Sequence, residues 1–99
     1  RAPITIIIAT NYKEHPKVPK HEQMITAGCA VQAMQMAAVA LGFQAMWRTG
    51  DVATSNIVKQ GLSISAENDI VGFLYLGSAA KELPNKIRKP AAQFTRYLT

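Results

Sequence analysis

The chain is 99 residues long, with 11 Lys and Arg against 6 Asp and Glu, a net charge of +5 and one cysteine. That length allows one small domain, and the lone Cys29 excludes an internal disulfide framework. With no basic n-region, apolar h-region and cleavage site of a secretory leader, the cytoplasm is the expected compartment.

The sequence opens on Arg1 rather than Met and enters at once the run Ile4, Thr5, Ile6, Ile7, Ile8, Ala9. The opening sets the expectation of a fragment. The run itself, β-branched and nearly continuous, predicts a central strand covered on both faces. Asn11 to Lys20 follows as a polar loop carrying Pro16 and Pro19, flanked by His15 and His21. With no Cys or Asp ligand beside them, the two histidines read as solvated loop residues and no metal site is expected.

From His21 to Gly42 the chain predicts one long helix. No charged side chain stands between Gln23 and Trp47, and small residues (Ala27, Gly28, Ala30, Ala33, Ala37, Ala38, Ala40) recur on every side. A helix apolar all round is a buried one, so it reads as the spine of the core, with Cys29 as a small and inert core residue. Glu22 suits the positive end of the helix dipole and Gly42 the left-handed position that ends it. A membrane span is the competing reading; Gln23, Thr26, Gln32 and Gln35 and the dominance of Ala over Leu and Ile speak against it. So short a chain cannot easily cover such a rod, which predicts a partner chain or further chain of its own.

Phe43 to Arg48 predicts a second strand, delivering Trp47, Arg48, Thr49 and Gly50 at its far end. Thr54 or Ser55 can cap a short helix over Asn56 to Gln60, closed by Gly61. Asn68 and Asp69 make a turn before a third strand, Ile70 to Leu76, in which Gly72 marks the close approach of another group. Beyond Gly77, Pro84, Pro90 and scattered charges forbid a long helix, while Phe94, Tyr97 and Leu98 are apolar anchors that would dock on something. From Lys81 to Thr99 five basic residues stand against Glu82 alone. Such a tail could meet phosphate-bearing molecules, an anionic surface or nucleic acid. Without aromatic residues interleaved among the charges, nucleic acid has little support, and no nucleic-acid or membrane partner is expected.

The sequence holds no nucleophile elbow, phosphate-cradling glycine loop, paired carboxylates or zinc spacing. Asp51, Glu67 and Asp69 are too scattered for an acid and base pair, so no catalytic side chain is assigned, and any chemistry would be borrowed from a cofactor. The polar cluster that follows the apolar helix is Trp47, Arg48, Thr49 and Gly50. Arg can grip a phosphate or bond an electron-rich ring, Thr offers a hydroxyl, Trp a flat wall, and Gly lets a ligand approach. Taken bare, the tetrapeptide reads first as an ordinary strand end with a surface arginine.

The succession KVPKHEQMITAGCAVQAMQMAAVALGFQAMWRTG, then NIVKQGL, then DIVGFLYLGSA, resembles the second half of the small FMN-dependent nitroreductases of the YdjA type, from Ala2 to about Ser78. The resemblance implies an α+β fold, a central, mostly antiparallel sheet flanked by helices, in an intertwined homodimer. Residues 1–99 would be the C-terminal part of a single nitroreductase domain. Residues 79–99 would form an extended arm reaching the partner subunit. It implies FMN at the dimer interface, NAD(P)H as co-substrate, and electrons passed to nitroaromatic or quinone-like acceptors in ping-pong turnover. Trp47, Arg48 and Thr49 match the motif that contacts FMN, with Gly50 adjacent, and Ala37 matches a position near the nicotinamide nucleotide. The family's early R-R-S phosphate clamp has no counterpart here and would precede Arg1. The alternatives are a non-catalytic flavin-binding or partner-binding fragment and an anion-binding piece driven by the tail.

Overall fold

A computed structural model describes residues 2–99. Its elements are β1 (Ile4–Ala9), α1 (Lys20–Ala40), β2 (Gln44–Arg48), α2 (Asp51–Thr54), α3 (Asn56–Gly61) and β3 (Ile70–Gly77), followed by a 3-10 turn at Ala91–Phe94. The three strands form one sheet in the order β1-β3-β2, with β3 antiparallel to both neighbours. β1, α1 and β2 therefore make a split β-α-β unit into which the last strand inserts. The α+β expectation with an antiparallel sheet is met.

The strand expected in the centre is not there. β1 lies at an edge, with Ile4 and Ile7 exposed, and β3 takes the central place. The continuous apolar run of β1 marked a strand, but continuity alone does not rank strands within a sheet. β3 alternates buried and half-buried positions, with Ile70, Gly72 and Leu74 facing α1, which packs against all three strands. Leu74 and Val31 are the largest fully buried side chains and mark the middle of the core.

α1 starts at Pro19, whose carbonyl accepts from the N–H groups of Glu22 and Gln23. The Gln23 side chain holds the preceding loop, donating to the carbonyls of Lys13 and Val18 at 2.9 Å and accepting from the Lys13 N–H. The helix ends in a Schellman motif, with Phe43 N–H on Ala38 O and Gly42 N–H on Val39 O. Gly42 has φ +88° there, the left-handed conformation expected of it. Only Val31 and Ala38 of α1 are buried, and Ile25, Cys29, Met36 and Val39 are exposed. This corrects the reading of the helix as a fully buried spine and of Cys29 as a core thiol. The sheet covers one side of the rod, and among the described residues no strand or helix covers the other. No helix among the described residues is long and apolar enough to cross a membrane.

Ser55 is the cap of α3, its hydroxyl accepting from Val58 N–H. Gly61 does not close that helix from outside but stands in its last turn, with Leu62 as C-cap. α2 was not expected; it packs on β3 and buries Ala53. Beyond Gly77 the tail is largely extended, and Leu83, Ile87, Phe94, Tyr97 and Leu98 are exposed.

Candidate functional site

β2 delivers its last residues in register against β3, Trp47 opposite Leu74 and Arg48 opposite Phe73. Strand alternation sends these two side chains to opposite faces. Trp47 turns toward α1, lies beside Gly28 and Gly72, and donates its indole N–H to the Val71 carbonyl at 3.1 Å. Val71 lies beyond the last β2 pairing, so the indole continues the contact between the strands where the ladder stops. Arg48 turns to the other face, its guanidinium 5.9 Å from the Tyr75 ring centroid, a cation–π distance. Its one polar contact is a weak one to Met46 Sδ at 3.8 Å.

Gly50 then turns the chain with φ +91°, which a side chain would resist, and its carbonyl accepts from Ala53 N–H to start α2. The tetrapeptide is thus an open strand end between sheet and helix. Its wall is Trp47, 38% exposed. Among the described residues Arg48 has no carboxylate partner, and the sole ion pair is Lys59 with Asp69 at 4.0 Å. A guanidinium with no carboxylate partner among the described residues suits a phosphate or the electron-rich edge of a heterocycle. The donor set present therefore fits part of FMN.

Ala37 lies elsewhere. It stands nine positions beyond Gly28, about 14 Å further along the helix axis at 1.5 Å per residue. There it lines an apolar cavity of about 400 Å³ with Ile6, Met34, Leu41, Phe43 and Leu76. Among the described residues the side chains lining that cavity carry no charge. The structure keeps Trp47, Arg48, Thr49 and Gly50 at one strand end, with Trp47 and Arg48 on opposite faces of the sheet, and leaves Ala37 apart.

A model of the nitroreductase family matches residues 1–78. The chain belongs to the nitroreductase family. It is 44% identical over 90 residues to an Escherichia coli (strain K12) protein named "Putative NAD(P)H nitroreductase YdjA", an alignment covering 91% of this chain and 49% of that protein. A Haemophilus influenzae protein, also named "Putative NAD(P)H nitroreductase", is 28% identical over 100 residues, covering 99% of this chain and 54% of that protein. The chain thus spans about half the length of the curated relatives it matches. A nitroreductase-like family protein from Bacillus cereus superposes with a TM-score of 0.85 at 21% identity, over 98% of this chain and 51% of its own, and shares the fold.

One cluster escaped the reading of the sequence. The Tyr12 hydroxyl donates to Asp69 Oδ2 at 2.6 Å, Asp69 N–H donates to Thr10 Oγ1 at 2.8 Å, and Tyr12 N–H donates to Asn68 Oδ1 at 2.8 Å. Lys59, buried in α3, closes the group against Asp69 and the Ala66 carbonyl. The bond to Asp69, then burial, raises the Tyr12 pKa above its ordinary 10.0. These residues tie the loop after β1 to the turn before β3. Only the turn-forming character of Asn68 and Asp69 signalled them. No group of His, Cys, Asp and Glu among the described residues could hold a metal ion, and His15 Nδ1 accepts from Lys17 N–H instead.

Proposed function

We propose that this chain forms part of an FMN-dependent NAD(P)H nitroreductase that passes electrons to nitroaromatic or quinone-like acceptors by ping-pong turnover. The reading is carried by one observation: the WRTG strand end, which by resemblance corresponds to the family's flavin-contacting motif, presents an Arg48 guanidinium with no carboxylate partner among the described residues. Bound FMN would supply the ring that exchanges electrons with NAD(P)H and the acceptor. Arg48 would offset negative charge on bound FMN, either at the ring or along the ribityl phosphate. Thr49 would hold the ring edge by hydrogen bonding, and the exposed edge of Trp47 would offer a wall. Gly50 turns the chain away and leaves room for the ligand.

The site is completed in a homodimer, where a second copy covers the exposed side of α1 and the tail, residues 79–99, reaches across to it. Ala37 contributes only space, for an apolar part of the nicotinamide nucleotide, since the described residues around it are uncharged and mostly apolar. The test is direct. The protein should copurify yellow or take up FMN, bleach with NADPH and recolour in air. Replacing Arg48→Ala removes a charge-assisted bond worth about 1.5–3 kcal/mol and should weaken FMN binding roughly tenfold or more. Unchanged flavin content and unchanged NAD(P)H oxidation in that variant would overturn the role of Arg48. A yellow protein that does not respond to NAD(P)H would instead be a non-catalytic flavin holder.

A further inference from the structure

The indole of Trp47 is held at two points. Its N–H is fixed on the Val71 carbonyl, and its far edge lies over α1, where a Cβ on Gly28 would sit 3.7 Å from Cη2, an ordinary contact. Between these points the ring crosses Gly72 with no room to spare. A Cβ on Gly72 would come within 2.7 Å of Trp47 Cδ1, and closer still to Nε1. The obstacle is a rigid ring pinned by a hydrogen bond, not the end of a flexible chain, so the overlap cannot be relieved by a small rotation. Gly72 is buried in the central strand and its backbone conformation is not left-handed, so neither a turn nor a positive φ explains glycine there.

We infer that Gly72 is a positioning residue for the strand end Trp47–Gly50: its missing side chain is the seat of the Trp47 indole, and the seated indole fixes where Arg48 and Thr49 leave the sheet. In its consequence for flavin binding the inference rests on the function proposed above; the seat itself does not. Trp47 is the sole tryptophan in the chain, so its emission reports the seat with no cofactor bound.

In Gly72→Ala the emission maximum should move to longer wavelength, acrylamide quenching should rise several-fold, and the FMN dissociation constant should increase about tenfold. Gly28→Ala, facing an ordinary contact, should change none of the three. If Gly72→Ala does not fold, the double variant Gly72→Ala with Trp47→Leu should fold and recover the thermal midpoint of Trp47→Leu alone, because the overlapping ring is gone. Unchanged emission and quenching in Gly72→Ala would overturn the seat. Displaced emission with unchanged FMN affinity would overturn the positioning role, and so would a double variant no more stable than Gly72→Ala. Arg48→Ala fails or succeeds independently of these readouts, so a wrong flavin site and a wrong seat are told apart.

Discussion

Tyr12 shows how much a single side chain organises in so small a molecule. Its phenol donates to the Asp69 carboxylate at 2.6 Å while its main-chain N–H binds Asn68, so one residue clamps the loop after β1 onto the start of β3. Replacing Tyr12→Phe removes a bond worth about 1 kcal/mol at this half-buried position and should lower the urea midpoint at neutral pH accordingly. The pH dependence has a definite sign. The bond to Asp69, with a smaller contribution from burial, raises the Tyr12 pKa in the folded state above the 10.0 of an unperturbed tyrosine. The proton is therefore held more tightly in the folded chain. The resulting stability is fully present below pH 10 and is lost as pH rises through the higher folded value. The gap in urea midpoint between the parent and Tyr12→Phe should be constant from neutrality to about pH 9 and narrow above 10. A gap that widens in alkali would refute the linkage. None of this was legible beforehand, because Tyr12 and Asp69 are 57 positions apart and no local spacing pairs them. Gly72 and Gly42 were legible. A glycine inside an apolar strand and one at the end of an alanine-rich helix each break a local pattern, and each break has one physical cause, a close approach in the first case and a left-handed turn in the second.

At the scale of elements, periodicity located the strands and the long helix to within a residue or two, because apolar runs and Gly or Pro punctuation are local signals. It misjudged their rank. β1 and β3 are both rich in apolar residues, yet β3 is paired on both edges and β1 on one. That difference is set by where the chain returns after α3, which no window of sequence contains. α2 was missed because its four residues, Asp51–Thr54, are too few to show a period. Their helical turn follows from Gly50 and from packing on β3. The rank of β3 carries a prediction. Leu74, 0% exposed, sits opposite both Ile6 and Trp47 at the middle of the sheet. Replacing Leu74→Ala should destabilise the fold by about 2–5 kcal/mol, through lost transfer energy and the cavity left behind. A substitution as large in volume at an edge position, Ile4→Ala, should cost far less, since Ile4 is 56% exposed. Denaturant titrations of the two variants decide the ranking, and equal losses would mean that β3 is not the centre of the core.

At the scale of the whole chain, the described residues leave one side of the longest helix bare. Ile25, Cys29, Gln32, Met36 and Val39 recur at helical spacing along the exposed side of α1, and Ile25 and Met36 are 63% and 60% exposed. A continuous uncharged stripe of this length on a water-facing helix is the signature of an interface. Shared between two copies, it would account for a helix that is apolar all round yet half-covered in one chain. The prediction can be read with the protein's own single thiol. If α1 forms the subunit seam, sedimentation should give twice the mass of the chain, and Cys29 should react with a thiol reagent far more slowly than a free cysteine. Placing a charge in the stripe, Ile25→Glu, should halve the sedimenting mass and raise the Cys29 reaction rate to that of an exposed thiol. It should do so without loss of far-UV ellipticity, because Ile25 contributes little to the chain's own core. Association by burial of apolar surface should also persist as ionic strength rises, whereas contacts made by the basic tail would weaken with salt. A chain that sediments as a monomer with a fast-reacting Cys29 would remove α1 as the seam, and with it the place proposed for the second copy.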